Sequence, residues 1–355
     1  MTSSIELSGP AGAPSSEPAG AAVTAPFRSL VVGLGRAGTG LHLPTLARLR
    51  RTPQGRLLFD EHPPIGYDPG SAPYRTRVGA LLLRDLDDAA LRCDPDRTVV
   101  HLCTPPTQRM EPLDRLARMG FRNFLMEKPL AGDARSVAAI AAKRDRWRLR
   151  LVVVAHWQVS ALTRRLATLV ELGTLGAARS LSVIQRKPRF TRTAASTGHP
   201  TAFDVELPHS VGVALQLAGP ATVVDAGLTD MVIGQRVIPD MGTASLSLRH
   251  ASGLRTTIRS DLTSPVRERR MALRFEHGTA VAHYACGGDD DHARLRISAP
   301  GQHTTEVFPD DALGEFIRQA YQRFQRPEPV GADPDFERCC QVVGLLDAAK
   351  ARCGR

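Results

Sequence analysis

Ser29-Leu30-Val31-Val32-Gly33-Leu34-Gly35-Arg36-Ala37-Gly38 is the stretch that decides the fold of this chain. A short, mostly apolar run ends on a glycine, and Leu43, Leu46 and Leu49 then fall at helical spacing. The pattern is G-x-G-x-x-G between a strand and a helix, the setting in which those glycines hold a dinucleotide. The first permits the tight turn, the second lets a pyrophosphate approach the backbone, and the third lets helix and strand pack closely. The helix start offers amide donors and a partial positive charge. An ordinary strand–turn–helix connection could carry the same glycines, so the reading depends on the residues C-terminal to it.

Those residues keep the same alternation. Pro64-Ile65-Gly66-Tyr67 reads as a second strand ending at Asp68, and Thr98 to Cys103 as a third running into Thr104-Pro105-Pro106. Helical patterns over 107–119 and 132–146 flank a strand from Phe121 to Met126, which ends in Glu127-Lys128-Pro129-Leu130. A further strand runs from Arg150 to Ala155. Strand–helix alternation at this spacing predicts βαβ units and a parallel sheet over 27–157. The remainder, 158–355, changes rhythm: a helix at 160–172, then strands through most of 177–308, interrupted by a helix from Pro208 to Leu217. Helices over 309–324 and 334–352 close the chain and can pack back on the first domain. The expected architecture is α/β: a dinucleotide-binding domain followed by an α+β domain with a large, mostly antiparallel open sheet.

Length agrees with two domains: 355 residues, 42% of them hydrophobic, is more than one ordinary compact unit needs. No apolar run approaches the roughly 18 residues of a membrane span. The net charge of +10 invites a nucleic-acid reading, but its make-up argues against one. Of 46 basic residues only four are lysine (Lys128, Lys143, Lys187, Lys350), and Asn123 is the only asparagine, the style of a GC-rich genome. The arginines are scattered among 36 acids, and the densest cluster, Arg267 to Arg270, has no interleaved aromatics. The six cysteines show neither C-x-x-C nor zinc spacing, so free thiols in a reducing cytoplasm and no metal site are expected. Residues 1–26, rich in small residues and proline, read as a disordered tail without the features of a signal peptide.

Site candidates lie where open parallel sheets bind ligands, beyond the carboxyl ends of the strands. Gly33, Leu34, Gly35, Arg36, Ala37 and Gly38 would cradle the cofactor. Asp68 is placed to bind the adenosine ribose and so favours NAD over NADP; it lies farther from the glycines than usual, which an insertion near Thr52–Pro64 would explain. Arg75 and Arg77 could instead meet a 2′-phosphate, and Asp68 could simply be a turn residue before Pro69-Gly70. Cys103, Thr104, Pro105, Glu127 and Lys128 complete the rim, with a cis bond possible at its prolines. A lysine at such an edge, in a chain that avoids lysine, is hard to read as solvated surface.

Val-Val-Gly-Leu-Gly-Arg-Ala-Gly (31–38), His-Leu-Cys-Thr-Pro-Pro (101–106) and Met-Glu-Lys-Pro-Leu (126–130), in that order, resemble the glucose–fructose oxidoreductase / inositol dehydrogenase (Gfo/Idh/MocA) family over most of 27–353. The resemblance implies a Rossmann domain, a second domain built on an open sheet, and dimers or tetramers formed through that sheet. It also implies NAD(P)-dependent chemistry on sugars and cyclitols, with Lys128 touching the substrate hydroxyl and the nicotinamide ribose. The family's Asp-x-x-x-His pair falls on Val205 and His209, and a further family acid falls on Gly212. Asp204 and Glu206 flank the vacated position, and Glu206 and His209 share a helix face if the helix begins there. Other departures are Arg109, where the family often has histidine, and His156-Trp157-Gln158, where an arginine is common.

The expected activity is hydride transfer to or from a secondary alcohol or ketone of a polyol, aminosugar or cyclitol. Lys128 would hold the reacting oxygen and His209 would exchange its proton. Glu206, with Asp204 in reserve, would orient His209 or replace the absent aspartate. His156, Gln158 and His199 would face substrate and Trp157 the cofactor, while Tyr284 packs in the sheet. The competing expectation, raised by Val205 and Gly212, is a catalytically silent cofactor-binding sensor or scaffold. Neither nucleic acid nor membrane is an expected partner.

Overall fold

A computed structural model of the chain describes residues 25–70, 79–195, 198–287, 290–326 and 333–355. Most of the expected tail, together with Arg75 and Arg77, lies outside the described residues. The first sheet holds β1 (Arg28–Val32), β2 (Ile65–Tyr67), β3 (Leu81–Leu82), β4 (Thr98–Leu102), β5 (Asn123–Met126) and β6 (Arg150–Val153), all parallel, in the order β3-β2-β1-β4-β5-β6. Strand order reverses between β1 and β4, so a crevice opens beyond their carboxyl ends, where Gly33 and Cys103-Thr104 emerge.

The glycine turn is tight for visible reasons. Gly33 has φ +91°, and a Cβ there would come within 2.9 Å of the Cys103 carbonyl carbon and the Thr104 nitrogen. A Cβ on Gly38 would overlap the Gly33 carbonyl oxygen, whereas one on Gly35 would meet nothing within 4 Å. The chain passes through a wide (π) turn at Gly38–His42 into α1 (Leu43–Leu49), which sets His42 on the buried side.

Along the rest of the chain the helices are α2 (Ala89–Arg92), α3 (Met110–Arg118), α4 (Ala134–Trp147), α5 (His156–Val159), α6 (Ala161–Leu172), α7 (Phe190–Ala195), α8 (Leu207–Ala218), α9 (Ala312–Gln325) and α10 (Pro334–Arg352). The stretch after Ala177 is not strands throughout up to α8: the short helix α7 interrupts it directly beyond the first long strand. The second sheet contains β7 (Ala178–Arg186), β8 (Ala221–Leu228), β11 (Thr243–His250), β12 (Arg255–Asp261), β13 (Glu268–Phe275), β14 (Thr279–His283), β15 (His292–Ala299) and β16 (Gln302–Pro309); β9 (Met231–Ile233) and β10 (Arg236–Ile238) pair apart from it. Its order is β16-β15-β14-β13-β7-β12-β11-β8, antiparallel except for the parallel pair β7–β12. One face is apolar and covers α8, which is buried nearly all round, as a helix apolar on every side must be.

The last two helices return to the first sheet. Phe316, Ile317 and Tyr321 of α9 join the apolar cluster of Val31, Leu46 and Leu125 on one face. Phe336, Cys339 and Val343 of α10 join that of Phe124 and Leu151, while Val342, Leu346 and Ala349 reach the core of the second sheet. α10 therefore bridges both cores and fixes the crevice between them.

Because Gly38 lacks room for a methyl group, Gly38→Ala should cost about 1–3 kcal/mol in urea unfolding, as overpacking does. Gly35→Ala, with open space around it, should leave stability near that of the parent. The reverse ranking would contradict the turn described.

Candidate active site

The crevice is walled on one side by the turns after β4 and β5. Arg109, fully buried, ties the two together: its guanidinium donates to the carbonyl oxygens of Thr104 (2.9 Å), Glu127 (2.8 Å) and Leu130 (2.9 Å), and also to that of Pro129. The Lys128–Pro129 peptide is cis. Lys128 leaves this turn toward the second domain, and its Nζ donates to the Val205 carbonyl at 2.6 Å. Burial pulls its pKa below that of a free lysine, opposed by Glu206 and Glu127 and reinforced by Arg189 and Arg192.

Behind Lys128 the carboxylate of Glu127 accepts from the Lys128 backbone N–H (3.1 Å) and pairs with His42 Nε2 (2.9 Å). Burial disfavours an imidazolium at His42, but the Cys103 sulfur and the Glu127 carboxylate outweigh it and push the pKa up to about 10. Burial would raise Glu127, yet the hydrogen bond and charge of His42 hold it down to about 2. With His42 charged, its Nδ1–H donates to His101 Nδ1 (2.7 Å), and His101 Nε2–H donates to the Tyr321 hydroxyl (2.8 Å). Tyr321 in turn shares a 2.6 Å hydrogen bond with Ser29 Oγ, closing a buried chain from the crevice to α9 and β1.

The facing wall comes from α5, α8 and the segment after β7. The His209 ring is buried, with centroids 4.5 Å from His156 and 5.4 Å from Trp157, the latter stacked. Its ring nitrogens hydrogen-bond no described residue. Burial, then His156 and the nearby cations, push its pKa well below 6.5, so it is neutral at pH 7. His156 falls to about 4 and His199 to about 3, burial leading in both cases.

Several expected roles change here. The Glu206 carboxylate is not hydrogen-bonded to the His209 ring; it pairs with Lys187 and lies 3.9 Å from Arg269. Burial would raise its pKa, but Lys187, Arg269 and Lys128 hold it down to about 2. Asp204 is spent on structure: it closes a capping box with Thr201 and takes a 2.5 Å ion pair from Lys350, all buried, so it is no reserve partner for His209. Trp157 does not present its ring to a cofactor; it is buried and stacked on Tyr284 at 4.2 Å. Gln158 lies against Gly212 and accepts from Arg338 at 2.9 Å, so its side chain serves the α8–α10 contact and not the crevice. Asp68 accepts from the Leu34 N–H (2.7 Å) and the Gly70 N–H (2.9 Å), holding both the glycine loop and its own turn. Cys103 is a free, half-buried thiol beside His42.

A dinucleotide fits what remains open. There is room in front of Gly35, and the buried Thr104 Oγ1 and His156 Nδ1 on the crevice walls have no partner among the described residues. Sequence reasoning missed Lys187, Arg189, Arg192, Arg269, His42 and Tyr321. For Lys187 the signal was present, since it is one of only four lysines.

Compared by sequence, the chain matches no family model and no curated protein. Compared by structure, it is similar to a variant of KijD10, a 3-ketoreductase from Actinomadura kijaniata solved with TDP-benzene and NADP: TM-score 0.74 and 18% identity, covering 92% of this chain and 98% of that one. It is also similar to UDP-N-acetylglucosamine 3-dehydrogenase GnnA from Acidithiobacillus ferrooxidans, with TM-score 0.68 and 16% identity, covering 93% of this chain and 98% of that one. At such identities the likeness is one of fold.

Glu127 and His42 make a testable pair. The lowered pKa of Glu127 contributes stability above about 4.5 that is lost as pH falls through about 2. The raised pKa of His42 contributes stability below 6.5 that is lost as pH rises through about 10. Glu127→Gln should therefore cost about 3–5 kcal/mol near pH 5.5 in urea unfolding, with the gap to the parent closing toward pH 10. A gap independent of pH would rule out the ion pair.

Proposed function

We propose that the chain is a nicotinamide-dependent oxidoreductase that interconverts a secondary alcohol and a ketone on a sugar or cyclitol. One observation carries this reading: Lys128, from the turn after β5, reaches the Val205 carbonyl just before the helix that carries His209, beyond the strand ends where the glycine turn also opens. KijD10, named a 3-ketoreductase, and GnnA, named a UDP-N-acetylglucosamine 3-dehydrogenase, share this fold.

When bound, the nicotinamide supplies or takes the hydride. Gly33 to Gly38 and Thr104 would hold the dinucleotide. Lys128 Nζ has three protons; one is given to Val205, leaving two for the reacting oxygen. Its lowered pKa makes the ammonium a better proton donor to a ketone oxygen, while its charge stabilises the developing alkoxide. In the oxidative direction Lys128 would take that proton back along the same path, while the neutral His209 accepts a hydrogen bond from the hydroxyl and orients it. Glu206 acts from farther back: its charge helps keep Lys128 protonated.

Lys128→Ala should abolish nicotinamide absorbance change on ketosugars, and His209→Asn should slow it about 10²-fold, the worth of a lost orienting contact. Glu206→Gln should lower the rate, whereas Asp204→Asn should lower stability and leave the rate of the folded fraction alone. Tight cofactor binding with no turnover on any polyol or ketosugar would favour the silent scaffold.

For the cofactor we infer NADP over NAD. Asp68 already accepts two backbone N–H groups, and KijD10 is solved with NADP. Fluorescence titration should give a lower Kd for NADPH than for NADH; the opposite order would return Asp68 to the ribose.

A further inference from the structure

Cations crowd the crevice beyond what its acids can balance. Lys128 and Arg36 belong to the first domain; Lys187, Arg189 and Arg192, just after β7, and Arg269 on β13 belong to the second. Of the two acids nearest them, Glu206 is shared by Lys187 and Arg269, and Glu127 is taken by His42.

Arg189 is left over. It is only 6% exposed, yet it makes no side-chain hydrogen bond or ion pair with any described residue, and its Nε is sealed from solvent without an acceptor. Arg192, three residues on and half-buried, has no side-chain partner among the described residues either. Beside them Thr193, 5% exposed, has a buried hydroxyl without a hydrogen-bond partner among the described residues, and the His199 Nδ1 nearby is in the same state. Burial first, and then repulsion from Arg192, pull the Arg189 pKa down to about 10, and Arg36 of the glycine loop adds to that repulsion. A guanidinium stays charged at neutral pH, so a buried one without a counter-ion destabilises the fold until an anion answers it.

We propose that Arg189, Arg192 and Thr193 seat a phosphate or diphosphate carried by the substrate, so that the sugar processed is a phosphate ester such as a nucleoside diphosphate sugar. Two unpaired guanidinium forks match the charge and the several acceptor oxygens of a phosphoryl group, and the hydroxyl adds a directional donor. The seat lies on the second-domain wall, where the same cations act on Lys128, and not on the loop that would take the cofactor's own pyrophosphate. The assignment to substrate rests on the oxidoreductase reading above.

The test is isothermal titration of the NADPH-saturated protein with UDP, TDP, inorganic pyrophosphate and, as the uncharged arm, glucose. The phosphate compounds should bind, more weakly as KCl is raised, and glucose should not. Arg189→Gln and Arg192→Gln should each weaken binding at least tenfold, while Arg255→Gln, an exposed arginine on β12, should leave it unchanged. Arg189→Gln removes a buried uncompensated charge, so without ligand it should melt no lower than the parent, and only the parent should gain Tm with pyrophosphate. No binding to NADPH-saturated protein, binding unchanged in both variants, or pyrophosphate displaced by NADPH would overturn the proposal. Failure to bind NADPH, with pyrophosphate still bound through Arg189, would overturn the oxidoreductase reading and leave the anion seat standing.

Discussion

Glu127 carries a charge in the interior of the first domain, and the arrangement of the crevice is set by how that charge is answered. One oxygen faces the imidazolium of His42 and the other accepts the backbone N–H of Lys128. Because His42 must then donate onward, His101 and Tyr321 are drawn into line. The turn leading into α1, β4, the turn after β5 and α9 thereby become parts of one polar chain. A half-satisfied network in such a place would be worse than an apolar core, so each member restricts the others. Arg109 completes the constraint from the other side by holding the carbonyls of the same turn.

This rigidity has an electrostatic partner in the opposite wall. His156, His199 and His209 are all kept neutral by burial and surrounding cations, while the lysines and arginines around them stay charged. The crevice thus separates two kinds of group: fixed cations that attract and orient an anion, and neutral imidazoles that can accept a proton. Arrival of an anion would lessen the repulsion on the histidines and raise their pKa values, which ties ligand binding to proton affinity at the same site.

Features written in contiguous residues were legible in the sequence. The glycine turn, the strand–helix alternation and the Glu-Lys-Pro turn each depend on a few neighbours, and they were sufficient for the parallel first sheet and for the turn that follows β5. What was not legible depends on distant pairing. His42 and Glu127 are 85 residues apart, and nothing local announces their bond. Asp204 and Glu206 look interchangeable beside Val205, and only the arrival of Lys350 from α10 assigns Asp204 to the scaffold. Trp157 and Gln158 escaped a local reading for a related reason: α5 is a single short turn, so neighbouring side chains leave it toward different contacts. Lysine scarcity is informative beyond position 128, since Lys187 and Lys350 also hold buried carboxylates.

The Val205 position shows how a backbone group can hold a side chain across the crevice. A carboxylate there would hold the Lys128 ammonium by charge and raise its pKa. The Val205 carbonyl fixes the geometry, at 2.6 Å, but offers only a dipole. Glu206 and Glu127 supply charge from farther off, and burial with the neighbouring arginines outweighs them. The ammonium therefore keeps its place while giving up its proton more readily than a free lysine does. An acid of that kind would suit the ketone oxygen of the proposed reduction.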